Sequence, residues 1–90
     1  MVNEKVSLLT LVVINDGAGY QERLGLARRM LLRNRSDQNI AAAGWLRIAS
    51  DAARKWERQF SEGKLEYTTR DVLQVADELA EYYAQHLSEF

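Results

Sequence analysis

The sequence predicts an all-α fold: a single domain over residues 1–90, built as a compact bundle of three or four helices around one long central helix. Three observations carry that expectation. Proline is absent from all 90 positions, and proline is a residue that turns and edge strands use heavily. Apolar residues recur at helical spacing over most of the chain. The breaks "NDGAG" (15–19), "RNRSD" (33–37) and "SEGKLEY" (61–67) leave segments of helical length between them.

The first segment, about Glu4 to Asn15, carries both signals. Thr10, Val12, Val13 and Ile14 are β-branched and favour a strand. The run does not alternate, however, and Asn3 and "NDG" fit a helix start and stop. A buried helix is the expectation. The alternative is an α+β fold with a two-stranded sheet from residues 7–14 and 64–68, where Leu65 and Tyr67 alternate with Lys64 and Glu66. The glycines of "GAG" (17–19) read as a helix stop and turn. A phosphate-cradling loop would need a third glycine at fingerprint spacing, or a following Lys-Ser/Thr, and neither is present.

In the second segment Tyr20, Leu24, Ala27 and Leu31 form one stripe, widened by Leu26 and Met30. Arg23, Arg28, Arg29 and Arg33 fall mostly off it. Gly25 lowers helix stability by about 1 kcal/mol relative to alanine, which suggests a close backbone contact there.

The third segment begins at Ser36 as the expected N-cap and runs to about Phe60. Its stretch "IAAAGWLRIASDAARKW" (40–56) is similar to the turn of a helix-turn-helix DNA reader, with alanines before a glycine. The resemblance departs at the decisive positions. Trp45 is too bulky for the small slot after the glycine, and Ser50 is polar where an apolar residue is wanted. A single helix explains more. Ala41, Trp45, Ile48, Ala52, Trp56 and Phe60 share one face, and the two tryptophans lie within about 20° of each other, three turns apart. Arg47–Asp51 and Asp51–Lys55 pair on the opposite side. Gly44, among alanines, then marks the thin side of the helix and a close helix–helix approach.

The fourth segment starts at Thr68, with Asp71 three residues on as in a capping box and Tyr67 and Val72 at the staple positions. Its stripe is Val72, Val75, Ala76, Leu79, Tyr83, Leu87 and Phe90. Expected core anchors of the whole fold are Trp45, Ile48, Trp56, Phe60, Leu79 and Tyr83.

Composition narrows function. No cysteine is present, so no disulfide framework or thiolate metal site is available. The apolar run from Leu8 to Ile14 is far below the roughly 20 residues of a membrane span. A cytoplasmic protein without a targeting segment is expected. Residues 1–60 hold 10 Lys/Arg against 6 Asp/Glu, and residues 61–90 hold 2 against 7. A basic body therefore carries an acidic final segment.

Catalysis needs converging titratable groups, and the chain has one histidine, His86. No enzyme activity, metal or cofactor is expected. His86 and Glu89 stand at a spacing that two metal ligands use, but a packing or surface role is the expectation. Asp77, Glu78 and Glu81 read as a solvated face.

The functional candidate is "ARRMLLRNR" (27–35), where Arg28, Arg29, Arg33 and Arg35 gather four guanidinium forks suited to carboxylate or phosphate. Tyr82, adjacent to Tyr83, cannot share its inward direction and joins them as a surface residue. The expectation is a non-enzymatic protein-binding module: a small regulator, inhibitor or adaptor acting on a protein partner that is acidic where it is touched. Self-association as a homo-oligomer fits the complementary charge halves. The alternative is a nucleic-acid-binding accessory protein using the same arginines.

Overall fold

The computed structural model describes residues 4–32, 34–59 and 67–88. Four α-helices make the fold: α1 (Glu4–Asn15), α2 (Tyr20–Leu31), α3 (Arg35–Gln59) and α4 (Thr69–Ser88), with a 3-10 turn at Gly17–Gly19 between the first two. No strand occurs among the described residues. The β-branched run is helical, which removes residues 7–14 from the sheet alternative; residues 64–66 lie outside the described residues. Burial decides it. Val6, Leu9, Thr10 and Val13 fall on one helix face and are all buried. The Thr10 hydroxyl donates to the Val6 carbonyl one turn back at 2.7 Å, so the polar atom is satisfied within the helix.

The helix ends follow local chemistry. Asp16 turns extended (φ −81°, ψ 101°), and its carboxylate accepts from the Ala18 N–H at 3.1 Å, opening the 3-10 turn. At α3 the expected Ser36 cap is corrected to Asn34. The Asn34 side-chain oxygen accepts from the Ser36 N–H at 2.9 Å, and its backbone carbonyl accepts from Gln38 at 3.0 Å. Asparagine places its amide oxygen where an N-cap acceptor is needed, so the helix begins at Arg35. At α4 the capping box is present. The Thr68 hydroxyl accepts from the Asp71 N–H at 3.1 Å, and the Asp71 carboxylate accepts from the Thr68 N–H at 3.0 Å.

The long α3 is uninterrupted through Gly44, and Trp45 is buried rather than turned outward. A Cβ added at Gly44 would stand 2.6 Å from Leu26 Cδ2, so the glycine admits a side chain of α2 into the thin side of α3. Gly25 is a correction: nothing lies within 4 Å of its added Cβ, and no close contact uses it.

Contacts set the directions. Leu26 over Gly44 and the Arg29–Asp37 pair at 3.9 Å make α2 and α3 antiparallel. Trp45 stacks on Tyr83 at 5.5 Å and 22°, while Ala53 and Arg54 lie beside Tyr67 and Thr69, so α3 and α4 are antiparallel too. Lys5 binds Asp71 at 3.0 Å, which joins the starts of α1 and α4 and makes the one ion pair between basic body and acidic segment among those seen in the described residues. The bundle measures 43 × 25 × 24 Å. At 1.5 Å per residue the 25 residues of α3 span about 37 Å of that length.

The core is Val6, Leu9, Leu79 and Val75 packed around Trp45 and Tyr83, all with at most 1 % exposure. Ala41, Ala49 and Ala53 keep α3 slim against its neighbours. Ile48 and Trp56 are half-buried at the core's edge. Phe60 lies outside the described residues. No described helix is long and apolar enough to cross a membrane.

Candidate functional site

The corner between α2 and α3 carries the arginines. The helix α2 stops because Leu32 goes extended (φ −74°, ψ 138°), its N–H still reaching the Arg29 carbonyl at 3.2 Å. Gln38 of α3 donates its side-chain amide to the Leu32 carbonyl at 3.0 Å, which ties the turn to the next helix. Arg28 and Arg35 are exposed, and Arg29 is half-exposed against Asp37. Arg33 lies outside the described residues. An exposed pair of this kind contributes a few tenths of a kcal/mol, so the guanidinium groups are held loosely.

The corner is also apolar. The α2 stripe of Tyr20, Leu24 and Ala27 packs on the core, but its last member, Leu31, is 63 % exposed. Leu32 and Ile40 are 51 % and 49 % exposed. The stripe outruns its cover.

Tyr82 lies elsewhere. Its ring meets Tyr83 edge-on at 5.1 Å and lies parallel to His86 at 6.2 Å. His86 Nε2 is 3.0 Å from the Tyr20 hydroxyl, at the opposite end of α2 from the arginines. Eight helical residues, about 12 Å, separate Tyr20 from Arg28 along α2. The structure thus joins Arg28, Arg29 and Arg35 at one corner and sets Tyr82 apart from them. Among the described residues no three His, Cys, Asp or Glu side chains gather as a metal site. Glu89 lies outside them. Asp77 and Glu81 are exposed on the outer face of α4.

Compared with known families, curated proteins and solved structures, the chain matches none. Its chemistry is therefore read from its own residues.

One of those residues corrects the sequence reading. Arg23, expected off the packed stripe, is 3 % exposed. Its Nε–H donates to the Tyr83 hydroxyl at 2.7 Å, and its Nη2 donates to the Asp16 carbonyl. The guanidinium also lies 5.6 Å from the Tyr83 ring centre. It closes the C-terminal end of α1, where unpaired carbonyls and the helix dipole favour a cation. Among the described residues no carboxylate contacts it. The local signal was an arginine within one turn of a helix start, just after another helix had stopped at Asn15. An apolar stripe does not register such a residue.

Arg23 also borders a cleft of about 620 Å³ between the end of α1, the 3-10 turn and the middle of α3. Val12, Val13, Ile48, Ala52 and Trp56 form its apolar walls. At the rim, Arg47 pairs with Glu22 and with Asp51, the latter at 3.7 Å. Lys55 lies 5.9 Å from the Trp56 ring centre.

Proposed function

We propose that this chain is a non-enzymatic protein-binding module, a small regulator, inhibitor or adaptor, acting in the cytoplasm. It docks through the α2–α3 corner onto a partner surface that pairs acidic groups with apolar ones. The observation that carries this reading is the exposure of Leu31, Leu32 and Ile40 at the same corner as Arg28, Arg29 and Arg35. Large apolar side chains beside guanidinium groups suit a docking surface: the apolar area supplies the driving force and the arginine forks supply pairing and orientation.

Phosphate binding by the same arginines is the weaker reading. The sequence places no aromatic residue at positions 27–40 to stack on a base, and a phosphate backbone offers no apolar surface to the exposed Leu31, Leu32 and Ile40. The test is affinity capture from cells with the native chain and with the variant Arg28→Glu/Leu31→Ser/Arg35→Glu. All three side chains are exposed, so helical circular dichroism should be unchanged. Partners retained by the native chain and lost by the variant support the reading. A mobility shift of duplex nucleic acid that fades steeply with salt replaces it with the nucleic-acid role. A second copy is a self-partner of fitting chemistry, with Leu73, Asp77 and Glu81 exposed on α4, and sedimentation of the pure protein reads that case directly.

A further inference from the structure

A buried guanidinium without a carboxylate is an unfinished electrostatic arrangement. Removing a cation from water is costly unless an opposite charge or a full set of acceptors replaces the solvent. Arg23 is 3 % exposed and uses two of its three nitrogens, Nε on the Tyr83 hydroxyl and Nη2 on the Asp16 carbonyl. The third, Nη1, stands 2.5 Å from where a Cβ on Gly19 would be. Gly19 makes room for Nη1, Arg23 lines the cleft, and among the described residues no fully buried side-chain nitrogen lacks a partner, so the unbonded Nη1 reaches the accessible surface there.

We propose that the cleft binds a small amphipathic monocarboxylate, with the carboxylate on Arg23 Nη1 and the apolar body against Val12, Val13, Ile48 and Trp56. The volume of about 620 Å³ lies within the range of small-molecule sites. The charge balance selects a monoanion. Arg47 is taken up by Glu22 and Asp51, and Lys55 stands exposed over the Trp56 ring, which leaves Arg23 as the buried cation. The Asp16 carboxylate, bound to the Ala18 N–H, would repel a second negative charge beside it. The walls reject a fully hydrophilic anion, because only an apolar body regains the surface it covers. This site is separate from the docking corner, and either stands without the other.

Calorimetric titration of the full chain with octanoate tests the proposal, with octanamide as the neutral match and octyl phosphate as the dianion. Octanoate should bind about tenfold or more tightly than octanamide, the ratio a charge-assisted hydrogen bond supplies. It should also bind more tightly than octyl phosphate, and nitrogen-15 NMR should show the Arg23 Nε–H resonance shifting on titration. Arg23 also holds α1, so the blocking variant is Ala52→Phe, which fills the cleft and leaves the guanidinium in place. It should abolish octanoate binding while thermal unfolding stays cooperative. Equal binding of octanoate and octanamide, tighter binding of octyl phosphate, or undiminished binding by the Ala52→Phe protein overturns the proposal.

Discussion

Replacing Tyr83 with phenylalanine removes the acceptor of the Arg23 Nε–H while leaving the ring stacked on Trp45. A buried hydrogen bond to a charged group contributes about 2 kcal/mol, and its loss leaves the donor in a dry site. Urea unfolding of Tyr83→Phe should therefore show a loss of about 2 kcal/mol, where a ring with a free hydroxyl would lose almost nothing. Arg23 was the residue least legible in the sequence. Position within a stripe encodes packing of apolar atoms; it does not encode the unpaired carbonyls at the end of a preceding helix. The Asp16 carbonyl, the Tyr83 hydroxyl and the room left by Gly19 make the buried cation tolerable. Trp45 was legible by contrast, because its place on a continuous face fixed its inward direction.

At the scale of the element, capping chemistry was read correctly at α4 and two residues late at α3. The difference is physical. Thr68 and Asp71 satisfy one another's N–H groups, so their spacing alone marks the boundary. "NRS" offers two good caps in three residues, and the backbone turn rather than residue type selects Asn34. Thr68→Ala should destabilise the protein by about 1 kcal/mol in urea unfolding. The Lys5 ammonium on Asp71 couples the same cap to α1, so the loss should reach beyond α4 in hydrogen exchange.

The two helical glycines give an opposed pair of expectations. Gly25→Ala meets open space and should stabilise by about 1 kcal/mol through helix propensity. Gly44→Ala pushes on three atoms of Leu26, the nearest at 2.6 Å. Overpacking of this kind costs about 1–3 kcal/mol, which cancels or exceeds the propensity gain. Equal stabilisation by both changes would mean that α2 does not seat on α3 at Gly44. Sequence reasoning gave both glycines a close contact, because composition cannot tell which side of a glycine a neighbouring helix approaches.

At the scale of the whole molecule, the all-α bundle followed from periodicity and the absence of proline, and the ambiguous first segment was resolved by burial. Its apolar residues find α4 as cover on one face, and no strand pairing is needed. The proposed docking corner was only partly legible. The arginine cluster is visible as composition, but the exposed leucines beside it appear only once Leu31 is seen to outrun its cover. The placing of Tyr82 by His86 depends on packing between distant segments. The measurement closest to the central claim is quantitative affinity capture with three proteins: the native chain, the corner variant Arg28→Glu/Leu31→Ser/Arg35→Glu, and the control Arg54→Glu, an exposed charge reversal far along α3 from the corner. The account predicts partners shared by the native chain and the control, and lost from the corner variant. Partners retained by the corner variant, or lost only from the control, would contradict it.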